Sequence, residues 1–115
     1  MRTIVLVTDD GEAAWVMGWP YPHFVKHAWP YCWNNTFFRN EGPVRSSDLI
    51  RFAVERTIET ASTLDNWGAP PPEGIITMID AKAIRSTNPG CCYKKAGWRW
   101  VGRTKTGKEV LWLPA

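Results

Sequence analysis

Three places in the chain bring together side chains whose types and spacing could do chemistry. The first is the run Asn40-Glu41-Gly42-Pro43, followed by Ser46, Ser47 and Asp48. Gly reaches φ angles closed to other residues and Pro fixes its own, so this run reads as a tight turn. Ser46 and Ser47 then offer hydroxyls to the unpaired N–H groups of a new helix, and Asp48 suits its positive end. Such a turn has two uses: a plain helix cap, or a cradle of N–H groups for a phosphate or pyrophosphate. The second place is Asp80, which follows the apolar run Ile75-Ile-Thr-Met-Ile79. Open α/β sheets hold their ligands at this end of a strand, although an Asp there also caps turns. The third is His23 and His27, four residues apart, with Cys32 nearby. On a helical turn the two imidazoles share a face, which is a metal-ligand spacing. They lack the glutamate of a zincin motif, so the expectation is no metal and a substrate contact instead.

Secondary structure has to position these groups. Thr36, Phe37 and Phe38 suit a pleated surface, and residues 36–40 read as a strand. After the turn, Leu49, Ile50, Ala53, Val54, Ile58 and Ala61 recur at helical spacing, with Arg51, Glu55, Arg56 and Glu59 opposite. Pro70-Pro-Pro72 stops that helix. The continuous apolar run 75–79 fits a strand buried on both faces, as in a parallel pair. Together these make a β-α-β unit with a right-handed crossover. Ahead of it, residues 2–8 and 12–18 read as a hairpin around Asp10-Gly11. Behind it come a short helix over 91–95, stopped by Gly97, and two strands, 98–102 and 110–113, forming a closing hairpin.

Residues 19–34, WPYPHFVKHAWPYCWN, interleave prolines with aromatic rings and read as a structured loop. Its rings could wall a binding site. Eight tryptophans make the chain tryptophan-rich.

Bulk properties exclude several classes. The 115 residues fit one domain, 1–115, with one core. No apolar run nears the roughly 18 to 20 residues of a membrane span. The N-terminal apolar run is too short for a signal peptide, so a cytoplasmic location and no membrane partner are expected. Cys32, Cys91 and Cys92 are an odd count without metal spacing, which fits reduced thiols. The net charge is +3, and Arg85, Lys94, Lys95, Arg99, Arg103, Lys105 and Lys108 could form a basic face toward phosphate or remain an ordinary solvated surface. Gly102 to Lys108 imitates a Walker loop, but Glu109 stands where Ser or Thr is needed, and the run joins two strands.

In this order of elements, Asn88-Pro-Gly-Cys-Cys-Tyr93-Lys-Lys-Ala-Gly97-Trp98 resembles the short-helix motif of GNAT acyltransferases. With Phe38-Arg-Asn-Glu-Gly42 and Ser46-Ser-Asp-Leu-Ile50 it resembles the small GNAT-like proteins of actinobacteria and their phages, over residues 36–113. The resemblance implies an α+β, minimal GNAT-like fold. Its mixed sheet has about six strands, with one long and one short helix, and lacks the family's first strand and N-terminal helices. It implies acetyl-CoA or another acyl-CoA as cofactor, its pyrophosphate on the turn before the long helix, at Arg45, Ser46 and Ser47 with Asn88. It implies Tyr93 as the acid that protonates the departing thiolate, for which a reference pKa of about 10 is suitable. Asp80 would position or deprotonate an amine, and His23, His27, Trp29 and Trp33 would wall the acceptor site. Tyr93 has a second reading as a packed ring. Anchored on Leu49 and Ile50, the turn departs from the family pattern, with Val44 and Ser46 at its small positions and Glu41 at its basic one; read from Arg39 and Gly42 instead, it matches two positions and shifts the helix.

The expected function is acyl transfer to an amine on an unidentified acceptor. Two alternatives come from other classes. One is a catalytically degenerate GNAT scaffold that binds a host protein. The other is a nucleic-acid modifying or binding protein, because Asp80 and Tyr93 also resemble the pair used by Mom-type phage DNA-modifying proteins, and the basic face with its tryptophans suits single strands.

Overall fold

A computed structural model describes residues 2–19, 29, 31–64, 73–80 and 90–114. Their elements run β1 (Arg2–Val7), β2 (Ala13–Trp19), β3 (Trp33–Asn40), α1 (Ser46–Ser62), β4 (Ile75–Ile79), α2 (Cys91–Lys95), β5 (Arg99–Arg103) and β6 (Glu109–Leu113). The class is α+β. The six strands form one mixed sheet in the order β1-β2-β3-β4-β6-β5. β3 and β4 pair in parallel, while the other neighbours are antiparallel. Among the described residues no helix is long and apolar enough to cross a membrane.

The β1–β2 hairpin follows from alternation. Ile4, Trp15 and Met17 are buried on one face, while Val5 and Val7 stand exposed on the other. Its loop is tied by the Asp10 carboxylate, which accepts from the Thr8 hydroxyl at 2.7 Å and the Glu12 N–H at 2.9 Å. Those two bonds hold the Asp10 pKa below its ordinary value, the backbone bond contributing most.

β3 begins earlier than its residue types indicate, at Trp33. The Trp33 N–H donates to the Gly74 carbonyl at 3.0 Å, and Trp33 pairs with Ile75, so a non-local partner draws the end of an aromatic-rich segment into the sheet. Across from it, Val16 pairs with Phe37 and Met17 with Asn35, which leaves Thr36 as the extra residue of a bulge. The Asn35 amide repairs the ladder there, donating to the carbonyls of Val16 and Phe37 at 2.9 Å each.

The start of α1 corrects the serine-cap expectation. The N-cap is Arg45, in an extended conformation, and no side chain caps the helix. Asn40 organises the turn instead. Its amide donates to the Val44 carbonyl at 2.7 Å and the Ser46 hydroxyl at 3.0 Å, and its oxygen accepts the Gly42 N–H at 3.0 Å. With its oxygen accepting from Asn40, Ser46 is drawn back toward the turn rather than onto the helix end. Ser47 is buried with Ile50, Ala53, Thr57 and Ala61 on the sheet-facing side. Thr57 is polar but satisfied, donating to the Ala53 carbonyl at 2.6 Å and accepting the Trp15 indole N–H at 3.0 Å.

Both helices cover one face of the sheet. There Ile4, Trp15, Met17, Trp33, Ile50 and Leu111 join Tyr93 and Trp98 in the main core. Alternate residues of the strands point the other way, where Cys32, Ile76 and Val110 form a smaller cluster against Trp29, Met78 and Trp112. α2 is seated by Gly90, whose φ is 76° and where an added Cβ would meet the Leu111 and Ile79 side chains.

Candidate functional site

The sheet comes apart at one place. β3 and β4 pair through Trp33–Ile75, Asn34–Ile76 and Asn35–Thr77, and there the ladder ends. β3 nevertheless continues to Asn40 and β4 to Ile79. The parting strands border a cleft of about 660 Å³. It is lined by Thr36 to Phe38 from β3, Thr77 to Asp80 from β4 and its end, Arg45 to Ser47 at the start of α1, and Gly90 to Tyr93 with Lys95 from α2.

Its walls are apolar at Phe37, Phe38 and Ile79, and its rim carries the cations Arg45 and Lys95, both on exposed residues. Arg51 clamps the two helices together beside it, donating to the Lys95 carbonyl and pairing with Asp48 at 3.5 Å. The amide end of α1, uncapped by side chains, therefore opens toward a cleft with two basic residues, an arrangement that attracts an anion.

At the vertex, where pairing stops, lies a buried polar cluster. The Tyr93 hydroxyl donates to Asn35 Oδ1 at 2.5 Å, and the Thr77 hydroxyl donates to the Asn35 carbonyl at 2.9 Å. Tyr93, Asn35 and Thr77 are all buried. Burial pushes the Tyr93 phenol well above its ordinary value of 10.0, against a hydrogen bond with Thr77 that lowers it. The ring is held edge-on between Phe38, at 6.1 Å, and Trp98, at 5.0 Å. Loss of the phenol proton is thus resisted by its surroundings.

The structure brings Asp80, Arg45, Ser46, Ser47 and Tyr93 to this one cleft. Asp80 is exposed at the end of β4. Asn88, His23 and His27 lie outside the described residues. The two tryptophans expected to wall an acceptor site do not line the cleft. Trp33 is fully buried at 0% exposure, with its ring 6.0 Å from Trp19, because it opens a strand whose inward face is core. Trp29 packs against the smaller cluster on the opposite face, near Gly102. Cys91 and Cys92 also line the cleft, and burial raises the Cys92 thiol. Cys32, away from it, is pushed up to about 11 by burial and by Glu73. Neither Cys92 nor Cys32 has the lowered pKa of an activated thiol. Among the described residues no cluster of His, Cys, Asp or Glu suits a metal ion.

Sequence reasoning missed Asn35 and Thr77, and read Asn40 only as one residue of a turn. Asn35 had a signal: it is a polar residue two positions from Trp33, in phase with the buried face. The bulge at Thr36 breaks that phase before Phe38, so alternation along the strand hides it. No family model matches this chain, and comparison with curated proteins and with solved structures finds no match either.

Proposed function

We propose that this protein is a GNAT-type N-acyltransferase that takes an acyl-coenzyme A and an amine. One observation carries the reading: the sheet's parallel pair separates right after Asn35 and Thr77, beside the basic, uncapped start of α1. The strand order and the place of both helices fit the GNAT-like topology that the sequence resembles. The cleft also fits the cofactor in charge and shape. Arg45, Ser46 and Ser47, with Lys95 across from them, would hold pyrophosphate. Phe37, Phe38 and Ile79 would flank a narrow apolar arm between the strands.

Acyl transfer forms a C–N bond and breaks a C–S bond. The amine gives up a proton and the departing sulfur gains one. Asp80, exposed at the cleft's edge, takes the proton from the amine or orients it. Tyr93, at the vertex, gives its proton to the sulfur once its hydroxyl leaves Asn35. Calorimetric titration with acetyl-coenzyme A tests the reading. Heat of binding and a rise in melting temperature are expected, and neither at millimolar cofactor overturns it.

A second reading is favoured by one specific contact. The Tyr93 proton is engaged by Asn35 and the phenol is a weakened acid, as in a scaffold that binds without turnover. Acetyl-coenzyme A that binds but is never consumed, with any of a panel of amines, would select this reading over the first.

A further inference from the structure

Asn35 is 1% exposed, and both hydrogens of its amide are used, one on the Val16 carbonyl and one on the Phe37 carbonyl. That settles which way the carboxamide faces: its oxygen, not its nitrogen, meets Tyr93. Across the 2.5 Å between Asn35 Oδ1 and the phenol oxygen, only Tyr93 carries a hydrogen. The Tyr93 hydroxyl therefore has a fixed direction. Its proton points to the strand bulge; Thr77, whose hydrogen bond lowers the phenol's pKa, faces the same oxygen, which leaves one lone pair for whatever enters the vertex.

We propose that Asn35 is a positioning residue that aims the Tyr93 proton away from the cleft, so that the phenol meets an incoming group as a hydrogen-bond acceptor. The same side chain that repairs the bulge thereby sets the polarity of the cleft floor. The consequence for ligands rests on the acyl-transfer reading. A group seated at the vertex of the resting protein is favoured if it carries its own N–H, O–H or S–H. The free thiol of coenzyme A does, and the sulfur of a thioester does not. Tyr93 turns donor only by exchanging Asn35 for the new partner.

The test follows the Tyr93 hydroxyl proton by NMR in the whole chain. In the free wild-type protein it should exchange slowly and show cross-peaks to both Asn35 amide protons. A fast-exchanging hydroxyl, or one without those cross-peaks, overturns the proposal. Asn35→Ala removes the acceptor, and hydroxyl exchange should quicken about tenfold, the effect of losing one hydrogen bond of ordinary net worth. Asn35→Asp keeps an acceptor and should restore the slow signal, although both variants lose the amide that serves the bulge. A role confined to the bulge would leave the two variants alike. If either variant fails to fold, the wild-type signal alone decides. Saturating coenzyme A, as the free thiol, should leave the Tyr93–Asn35 cross-peaks in place, and their loss on binding overturns the acceptor role. Failure of coenzyme A to bind at all counts against the acyl-transfer reading while the free-protein signal still judges Asn35.

Discussion

The β1–β2 ladder and the β3–β4 ladder start from similar material and end differently. The first is antiparallel and pairs every residue of β1, from Arg2–Trp19 to Val7–Ala14. The second is parallel and stops at Asn35–Thr77 with strand to spare on both sides. Where the ladder is complete, the strands satisfy their own backbone and most of the side chains pack, with Trp15 also donating to Thr57. Where it stops, Asn35, Thr77 and Tyr93 meet from three elements: the Thr77 hydroxyl serves the Asn35 carbonyl, and the Tyr93 hydroxyl meets the Asn35 side chain. A buried polar cluster of this kind is costly unless satisfied, and this one sits where the parallel ladder ends.

The largest expected effect sharpens the boundary between the closed and the open part of β3. Trp33→Ala, at the paired end, should cost about 3–5 kcal/mol of stability, the usual range for emptying a buried Trp site. Val5→Ala on the exposed face of the complete ladder should stay within about 0.5 kcal/mol. Denaturant unfolding compares the two. A Trp33→Ala protein of near wild-type stability, with weakened acceptor binding, would return Trp33 to the binding wall that its neighbours in sequence had suggested.

Next in size is Tyr93→Phe, which leaves the ring and removes its proton. If Tyr93 is the general acid, turnover should fall by roughly a hundredfold while acetyl-coenzyme A binding is nearly unchanged. The lost bond to Asn35 should also cost about 1 kcal/mol. An active protein whose rate survives the substitution leaves Tyr93 as a structural member of the vertex.

Much of the closed part of the sheet was legible in the sequence. A β-rich run and Asp-Gly located the first hairpin, and apolar continuity located β4 and its parallel character, whereas the partner strand was read as 36–40 and pairs through 33–35. Helical spacing over 49–61 located α1, and α2 was read over 91–95 as found. The open part was less legible, for physical reasons. The start of β3 at Trp33 depends on Gly74 and Ile75, some forty residues away, not on its Pro- and Trp-rich neighbourhood. The serines looked like caps because cap chemistry is local, whereas Asn40 reaches forward across the turn and orders it first. The bulge at Thr36 changes which residues face inward without changing their types. Tyr93 and Asp80 could be suspected from sequence, but the partner that fixes the Tyr93 proton could not.

The smallest effect belongs to the loop of the complete ladder, and it tests whether that hairpin stands by local bonds alone. Asp10 accepts from Glu12 and Thr8 within its own loop, which holds its pKa below 3.8. A carboxylate whose folded pKa is depressed adds stability above its unfolded value, and that contribution fades as pH falls through the folded value. Acid should therefore loosen the Thr8–Ala13 loop below about pH 4, near the ordinary Asp pKa, before the vertex responds. Asp10→Asn keeps an acceptor oxygen and has no proton to gain, so its loop should be slightly weaker at neutral pH and flat through the acid range. Hydrogen exchange at Glu12 and Ala13, measured at neutral pH and in acid, reads both. The Glu12 amide bonds the Asp10 carboxylate, and the Ala13 amide bonds the Thr8 hydroxyl, so each reports one side of the loop. If acid opens the Asn35–Tyr93 contact as early as this loop, the two ladders unfold as one unit and the hairpin does not stand by local bonds alone.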